Sequence, residues 1–291
     1  IPFAVDPLVM YWNRDIFSSS GLAQPPKTWE TIVSQTTNAI VRMDDERNIT
    51  QSAIAFGEYA NIARAKEILS MLFFQSGTTI VDEGADGYFV SLGRGGDESG
   101  LTPGDAVLSF YTQFATPNKN LYSWNRSKRL DRTEFLEGNL ALYFGLGSEK
   151  SSLERENANL NFDIAPVPQG SGSTVERNYG TFYAFAIPRA SHNIQGAYAV
   201  ASLLASPVNA KALTDAYGLA PVHRSLFTGA VADPYKSVIY QSALLARGWL
   251  DPSPQESSDI FRNMIEAMTA GRTRTKGVII DAVYQLESLF N

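Results

Sequence analysis

Residues 1–12 read IPFAVDPLVMYW. The run is apolar and rich in β-formers, and Asp6-Pro7 interrupts it, so it predicts two short strands joined at a kink. A carboxylate inside an apolar strand needs a partner. Asp6 is therefore a candidate binding residue, and the alternative is a turn aspartate ahead of Pro7. Downstream, residues 21–26 read as a loop. Thr28 is placed to cap a helix over residues 29–43 that carries Trp29, Ile32, Val33 and Ile40 on one face. A polar turn follows at residues 44–48.

The helical period is strongest over residues 61–76, where Ile62, Ala65, Ile68, Leu69, Leu72 and Phe73 recur on one face and Gly77 ends the pattern. Residues 82–100 hold six glycines and several charges, a surface excursion with weak strand content. Thr102-Pro103 opens the next helix, with Ala106, Val107, Phe110, Tyr111 and Phe114 as its buried stripe. Then come a short helix end at 135–138, a buried strand at 140–144, a charged helix from Ser148 to about residue 157, and a strand at 162–167 stopped by Pro168. Residues 169–174 form a Gly/Ser-rich loop. A buried strand at 181–187 precedes helices at 193–205, from Pro207 with Ser206 as N-cap, at 235–246, at 256–270 and at 276–289. Strand-helix alternation followed by a helix-rich tail predicts an α/β fold with a mostly parallel or mixed sheet.

At 291 residues the chain is long enough for two lobes. The formal net charge of −6 argues against a nucleic-acid footprint, which needs a basic face. The basic group Arg126, Lys128, Arg129 and Arg132 is broken by Asp131 and Glu134 and reads as a solvated turn. With no cysteine, disulfides, thiol nucleophiles and Cys-based zinc sites are excluded. His192 and His223 have no third ligand spaced near either, so neither a metal nor another cofactor is expected. No G-x-S-x-G elbow is present. The longest apolar runs, such as residues 140–146, are too short to cross a bilayer.

Several stretches, in order and spacing, resemble the maltose-type extracellular solute-binding proteins of ABC importers. They are AVDPLVMYWNRDIF (residues 4–17) with PPKTWETI (25–32), FLEGNLALYFGLGSE (135–149), NFDIAPVPQG (161–170), YGTFYAFAIPRAS (179–191) and SPVNAKALTDAYGLAPVHRSLF (206–227). The resemblance implies a two-lobe periplasmic-binding-protein-like fold of type II. Residues 9–180 with 232–291 would form the second lobe, and residues 1–8 with 181–231 the hinge strands and the remainder of the first. Family members carry roughly a hundred further residues ahead of the AVD strand, on the scale of half a domain. The N-terminal part of the first lobe is thus expected to be absent, leaving apolar surface that another chain would cover.

The resemblance also places ligand contacts. Asp6 would face the cleft from the crossing strand. Tyr59, Asn61 and Arg64 would approach from the start of the 61–76 helix, with a surface salt bridge as the other reading of Arg64. Gly145, Gly147 and Ser148 form a strand-to-helix turn with free N–H groups. Trp124 is either a stacking platform or a lid over the core. Tyr179, Phe182 and Tyr183 flank the returning strand; alternation sends Phe182 and Tyr183 to opposite sides, one to the cleft and one to the core. Ser257 and Ser258 read as caps.

The implied function is capture of a sugar or oligosaccharide between lobes and delivery to the membrane subunits of an ABC permease, by a monomer without chemistry of its own. The implied setting is periplasmic or extracellular, with a lipid anchor left open. Two alternatives stand beside it: a glycan-active enzyme using paired carboxylates, and a surface or structural protein built on the same fold.

Overall fold

The opening run folds as one strand, and its two halves keep different company. The structure is a computed structural model that describes residues 1–85, 87–96, 100–227, 232–271 and 274–290. Its strands are β1 (Pro2–Asn13), β2 (Arg42–Met43), β3 (Ile49–Ile54), β4 (Val81–Gly84), β5 (Gly87–Val90), β6 (Leu140–Leu146), β7 (Phe162–Ala165), β8 (Asn178–Ala184), β9 (Ala220–Pro221) and β10 (Ala246–Arg247). Up to Pro7, β1 pairs antiparallel with β8 on one side and β9 on the other. From Leu8 onward its partners are β6 and β7, also antiparallel. The expected break at Asp6-Pro7 is therefore an exchange of partners rather than an end of the strand. Proline lacks a ladder donor, and it sits where the ladder changes hands.

The main sheet runs β10-β8-β1-β6-β3-β2, with β7 and β9 added on β1. It is mixed, and the parallel pairs are β3 with β6 and β10 with β8. The mostly parallel option is set aside, because β1 is antiparallel to each of its four partners. The strands β4 and β5 form a separate hairpin within the glycine-rich excursion, of which residues 86 and 97–99 lie outside the described set.

One face of the sheet's second half is covered by aromatic side chains. The Phe56 ring lies 5.1 Å from Phe144, 5.2 Å from Tyr111, 5.6 Å from Phe114 and 5.8 Å from Trp29. Gly57 follows it at φ +94°, where a Cβ would lie 2.6 Å from that of Ala115, so only glycine fits this turn. The helices Ala65–Gln75, Pro103–Thr112, Pro254–Thr269 and Thr275–Ser288 pack here, burying Leu69, Phe73, Leu108, Phe261 and Ile279.

Local signals set the helix ends. Thr102 and Asp105 form a reciprocal capping box with Pro103 behind the cap, as the sequence indicates. Thr28 caps as expected, but the helix is shorter than residues 29–43. A π-helical segment, Ile32–Thr36, interrupts it, and the chain turns into β2 after Ile40. The 61–76 helix begins only at Ala65, because residues 61–64 serve a hydrogen-bonded turn. The strand expected at 181–187 lies three residues earlier, and its latter half is exposed rather than buried.

Candidate ligand-binding site

The partner exchange in β1 brings Asp6 to the N-terminal end of the turn that follows β6. Asp6 is 1% exposed. Its Oδ1 accepts the Ser148 amide at 3.1 Å and its Oδ2 accepts the Ser148 hydroxyl at 2.6 Å. Burial pushes the Asp6 carboxyl above its ordinary value; the two Ser148 bonds pull it back, Glu149 pushes it up and Arg64 pulls it down. A carboxylate has about four lone-pair sites, so two remain for other donors.

Register decides which side chains share Asp6's side. Asp6 pairs with Thr181 and Ala4 pairs with Tyr183. Residues paired across strands, and residues two apart along a strand, point the same way. Tyr179, Thr181 and Tyr183 therefore line up with Asp6. The Tyr183 phenol is raised first by burial and then by the charge of Asp6, with Arg64 opposing. Tyr179 is raised by burial and by Glu67, while its hydrogen bond with Thr181 lowers it.

Arg64 closes the group. Its Nε and Nη2 reach one oxygen of Glu149 at 3.2 and 3.0 Å, and Glu67 lies at 3.6 Å from Nη1. Asp6, Gly147, Ser148, Arg64, Tyr179 and Tyr183 thus gather on one side of the β1–β8 pair. In Gly147 a Cβ would come 3.1 Å from Ile239 and 3.5 Å from Asp6 Oδ1, so the turn lies hard against the strand.

Four expected contacts lie elsewhere. Trp124 is fully buried and its indole N–H donates to Asn61 Oδ1 at 3.0 Å. The stacking-platform reading is corrected: the ring offers no face to a ligand. Asn61 also donates both amide hydrogens, to the carbonyls of Asn125 and Lys128 at 2.9 Å each. Its side chain staples the 61–64 turn to the 125–128 loop and has no donor left. Tyr59 is half-buried beneath the Arg262 guanidinium at 5.7 Å. Phe182 points away from Asp6, with its ring 3.4 Å from where Gly248 would carry a Cβ. The expectation that Phe182 or Tyr183 enters the core is also corrected. Both are exposed, at 50% and 39%: Phe182 has Gly248 beside it and Tyr183 has the Phe3 ring at 6.4 Å, and neither is enclosed.

The basic turn is solvated at Arg126 and Arg129, whose side chains are 56% and 58% exposed, and it is paired throughout: Arg126 with Glu58, Lys128 with Glu134, Arg129 with Glu137 and Arg132 with Glu156, with Lys128 largely buried. Ser257 is no cap: it is buried, takes Lys66 Nζ at 2.6 Å and donates to Asp251 at 2.8 Å.

Three residues escaped the sequence reading. Thr181 was available from strict alternation with Tyr179 and Tyr183. Glu149, the hub of the turn, looked like one more charge in a charged helix. Trp249, half-buried, stacks on Phe261 at 6.0 Å and lies 5.3 Å from Lys66 Nζ. It adjoins β10, whose Arg247 pairs with Tyr179. No group of His, Asp and Glu able to hold a metal occurs among the described residues. None of their helices is long and apolar enough to cross a membrane.

Comparison with known proteins adds an independent line. Residues 1–237 match the family described as bacterial extracellular solute-binding protein. No curated protein matches the sequence. Among solved structures, a solute-binding protein of an ABC transporter from Thermotoga lettingae, bound with α-D-tagatose, superposes with TM-score 0.70. It is 18% identical, and the match covers 100% of this chain and 72% of that one. The maltotriose-binding protein of Thermus thermophilus gives TM-score 0.66 at 16% identity, covering 100% and 72%. UgpB of Mycobacterium tuberculosis, in complex with glycerophosphocholine, gives 0.71 at 16% identity, covering 100% and 70%. At such identities the likeness establishes the fold.

Proposed function

The chain belongs to the bacterial extracellular solute-binding protein family, and from that premise we propose that it captures an uncharged sugar and hands it to an ABC permease, as a monomer and without chemistry. The observation that carries the sugar reading is the buried Asp6–Ser148 pair on the same side as Tyr179, Thr181 and Tyr183. Fixed acceptors suit hydroxyl hydrogens, and a tyrosine ring suits the apolar face of a pyranose.

Charge supports an uncharged ligand over an anionic one. The cation of this group, Arg64, is already committed to Glu149 with Glu67 beside it, while Asp6 adds a further carboxyl. An anionic ligand such as a phosphate monoester would meet a negative surface here. We assign residues 9–180 with 232–291 to one lobe and residues 1–8 with 181–231 to the hinge and the other lobe. The change of partners between Pro7 and Leu8 supports that division; residues 86, 97–99, 228–231, 272–273 and 291 of these ranges lie outside the described set. Closure about this strand would bury the ligand.

A thermal-shift panel tests the reading with tagatose, maltotriose, mannobiose and glycerol 3-phosphate. A bound ligand at a hundredfold excess over Kd stabilises by about 2.7 kcal/mol. Saturable stabilisation by a neutral sugar, with none by glycerol 3-phosphate, is the expected result. The reverse pattern would replace the sugar with an anionic ligand.

A further inference from the structure

We propose that Glu149 is the positioning residue of this site, holding the 146–148 turn so that Ser148 meets Asp6 and holding Arg64 so that its guanidinium stays turned to the protein. The proposal rests on reading Asp6 and Ser148 as ligand contacts, and it adds a residue that does not itself touch the ligand.

The geometry is dense. Glu149 Oε1 accepts the Leu146 amide at 3.1 Å together with the Arg64 fork. Oε2 accepts the Tyr143 hydroxyl at 2.5 Å, with Arg132 Nε at 3.9 Å. The carboxylate therefore reaches back over its own turn and fixes Leu146, the residue before Gly147. Tyr11 ties the same turn from below, donating to the carbonyl of Leu146 at 2.7 Å. Gly145 makes room for the arrangement: a Cβ there would lie 2.7 Å from the Tyr143 ring and 3.1 Å from Glu149 Oε2. Two elements thus converge on one carboxylate, and the residue between them, Ser148, presents both its donors to Asp6.

Glu149 can act through this geometry or simply as a negative charge near Asp6, and the two roles have opposite signatures. The groups acting on Asp6 are Ser148, Glu149 and Arg64, and the Tyr11 and Tyr183 phenols feel its charge. The two Ser148 bonds that lower the Asp6 carboxyl outrank the Glu149 charge that raises it. Losing the turn should then raise Asp6, whereas losing the charge alone should lower it.

The experiment follows the carboxyl carbon of Asp6 by NMR through a pH titration of the full chain. Glu149→Asp keeps the charge but withdraws it by one methylene from the Leu146 amide. Glu149→Gln keeps the reach and removes the charge. The expected result is an Asp6 midpoint shifted up in Glu149→Asp and shifted down in Glu149→Gln. An unchanged Asp6 midpoint in Glu149→Asp overturns the proposal. Should that variant not fold, Tyr143→Phe removes the 2.5 Å bond while leaving the charge, with the same two outcomes.

A parallel titration with maltotriose is expected to weaken about tenfold in Glu149→Asp and far less in Glu149→Gln, the loss of one hydrogen bond's worth of alignment. Weakening in Glu149→Gln with Glu149→Asp binding like wild type would reduce Glu149 to a charge. If the wild-type chain binds none of the sugars, the sugar reading falls while the Asp6 titration still decides the role of Glu149.

Discussion

Two helices of equal length, Ala65–Gln75 and Ile194–Leu204, show how differently one chain can use an apolar sequence. The first, AKEILSMLFFQ, buries eight of its eleven residues. The second, IQGAYAVASLL, buries one, Ala201. It leaves Ile194, Tyr198, Val200 and Leu203 more than half exposed, and Val208 of the next helix is 79% exposed. A helix apolar all round is normally an interior one. Composition therefore records what a helix is suited to pack against, while burial records what the described residues place over it. The first helix is covered on several sides; the second rests on its neighbour Pro207–Tyr217 and little else.

The largest effect that would break this contrast is a core truncation. Phe73→Ala, at a fully buried ring, is expected to cost about 3–5 kcal/mol in urea unfolding. Leu203→Ala, at a side chain 63% exposed, is expected to change stability by no more than about 0.5 kcal/mol. Similar costs at the two positions would mean that the second helix is covered in solution.

A pH series sharpens the comparison from the covered side. Burial pushes the Asp131 carboxyl from 3.8 up to about 7, with the amides of Ala63 and Arg132 pulling against it. Its Oδ2 is buried without a hydrogen-bond partner. The folded state then holds a proton that the unfolded chain releases. The stabilising contribution is complete below pH 3.8, falls as pH rises, and is gone once pH has passed about 7. Asp131→Asn removes this dependence, so its stability relative to wild type should climb by up to about 4 kcal/mol between pH 4 and 7 and then level off. Parallel pH curves for the two proteins would show that Asp131 is ionised in the fold.

The smallest effect lies on the exposed side. Asn193 caps the Ile194–Leu204 helix by accepting the Gly196 amide at 2.9 Å. With so little packing, that cap should matter locally. Asn193→Ala is expected to speed amide exchange throughout this helix, corresponding to about 1 kcal/mol, and to leave exchange in Ala65–Gln75 unchanged. Uniform acceleration in both helices would make them one cooperative unit.

Much of this fold is legible in the sequence because short-range chemistry dictates it. Thr102, Pro103 and Asp105 announce a helix start, and the Asp6-Pro7 break marks a real event in β1. What that event is, an exchange of partners, depends on strands more than a hundred residues away and leaves no local trace. The exposed half of β8 was misread for the same reason: alternating apolar residues signal a partner, and no local signal says whether one is present. In the site, Asp6 and Ser148 are visible as a carboxylate in an apolar strand and a helix start. Trp124 and Asn61 were misplaced because each satisfies the other across 63 positions, a pairing that spacing does not reveal. Glu149 was missed because the Arg64 fork that marks it out comes from 85 positions away.

The central claim is that ligand is taken on Asp6's side of the β1–β8 pair, and calorimetric titration of the best sugar from the panel into Asp6→Ala, Tyr183→Ala and Phe182→Ala chains tests it most directly. Loss of about tenfold or more in affinity at Asp6 and Tyr183, with Phe182→Ala binding like wild type, is the predicted result. Weakening at Phe182 with Asp6→Ala and Tyr183→Ala unaffected would contradict it and move the ligand to the other side of the strand.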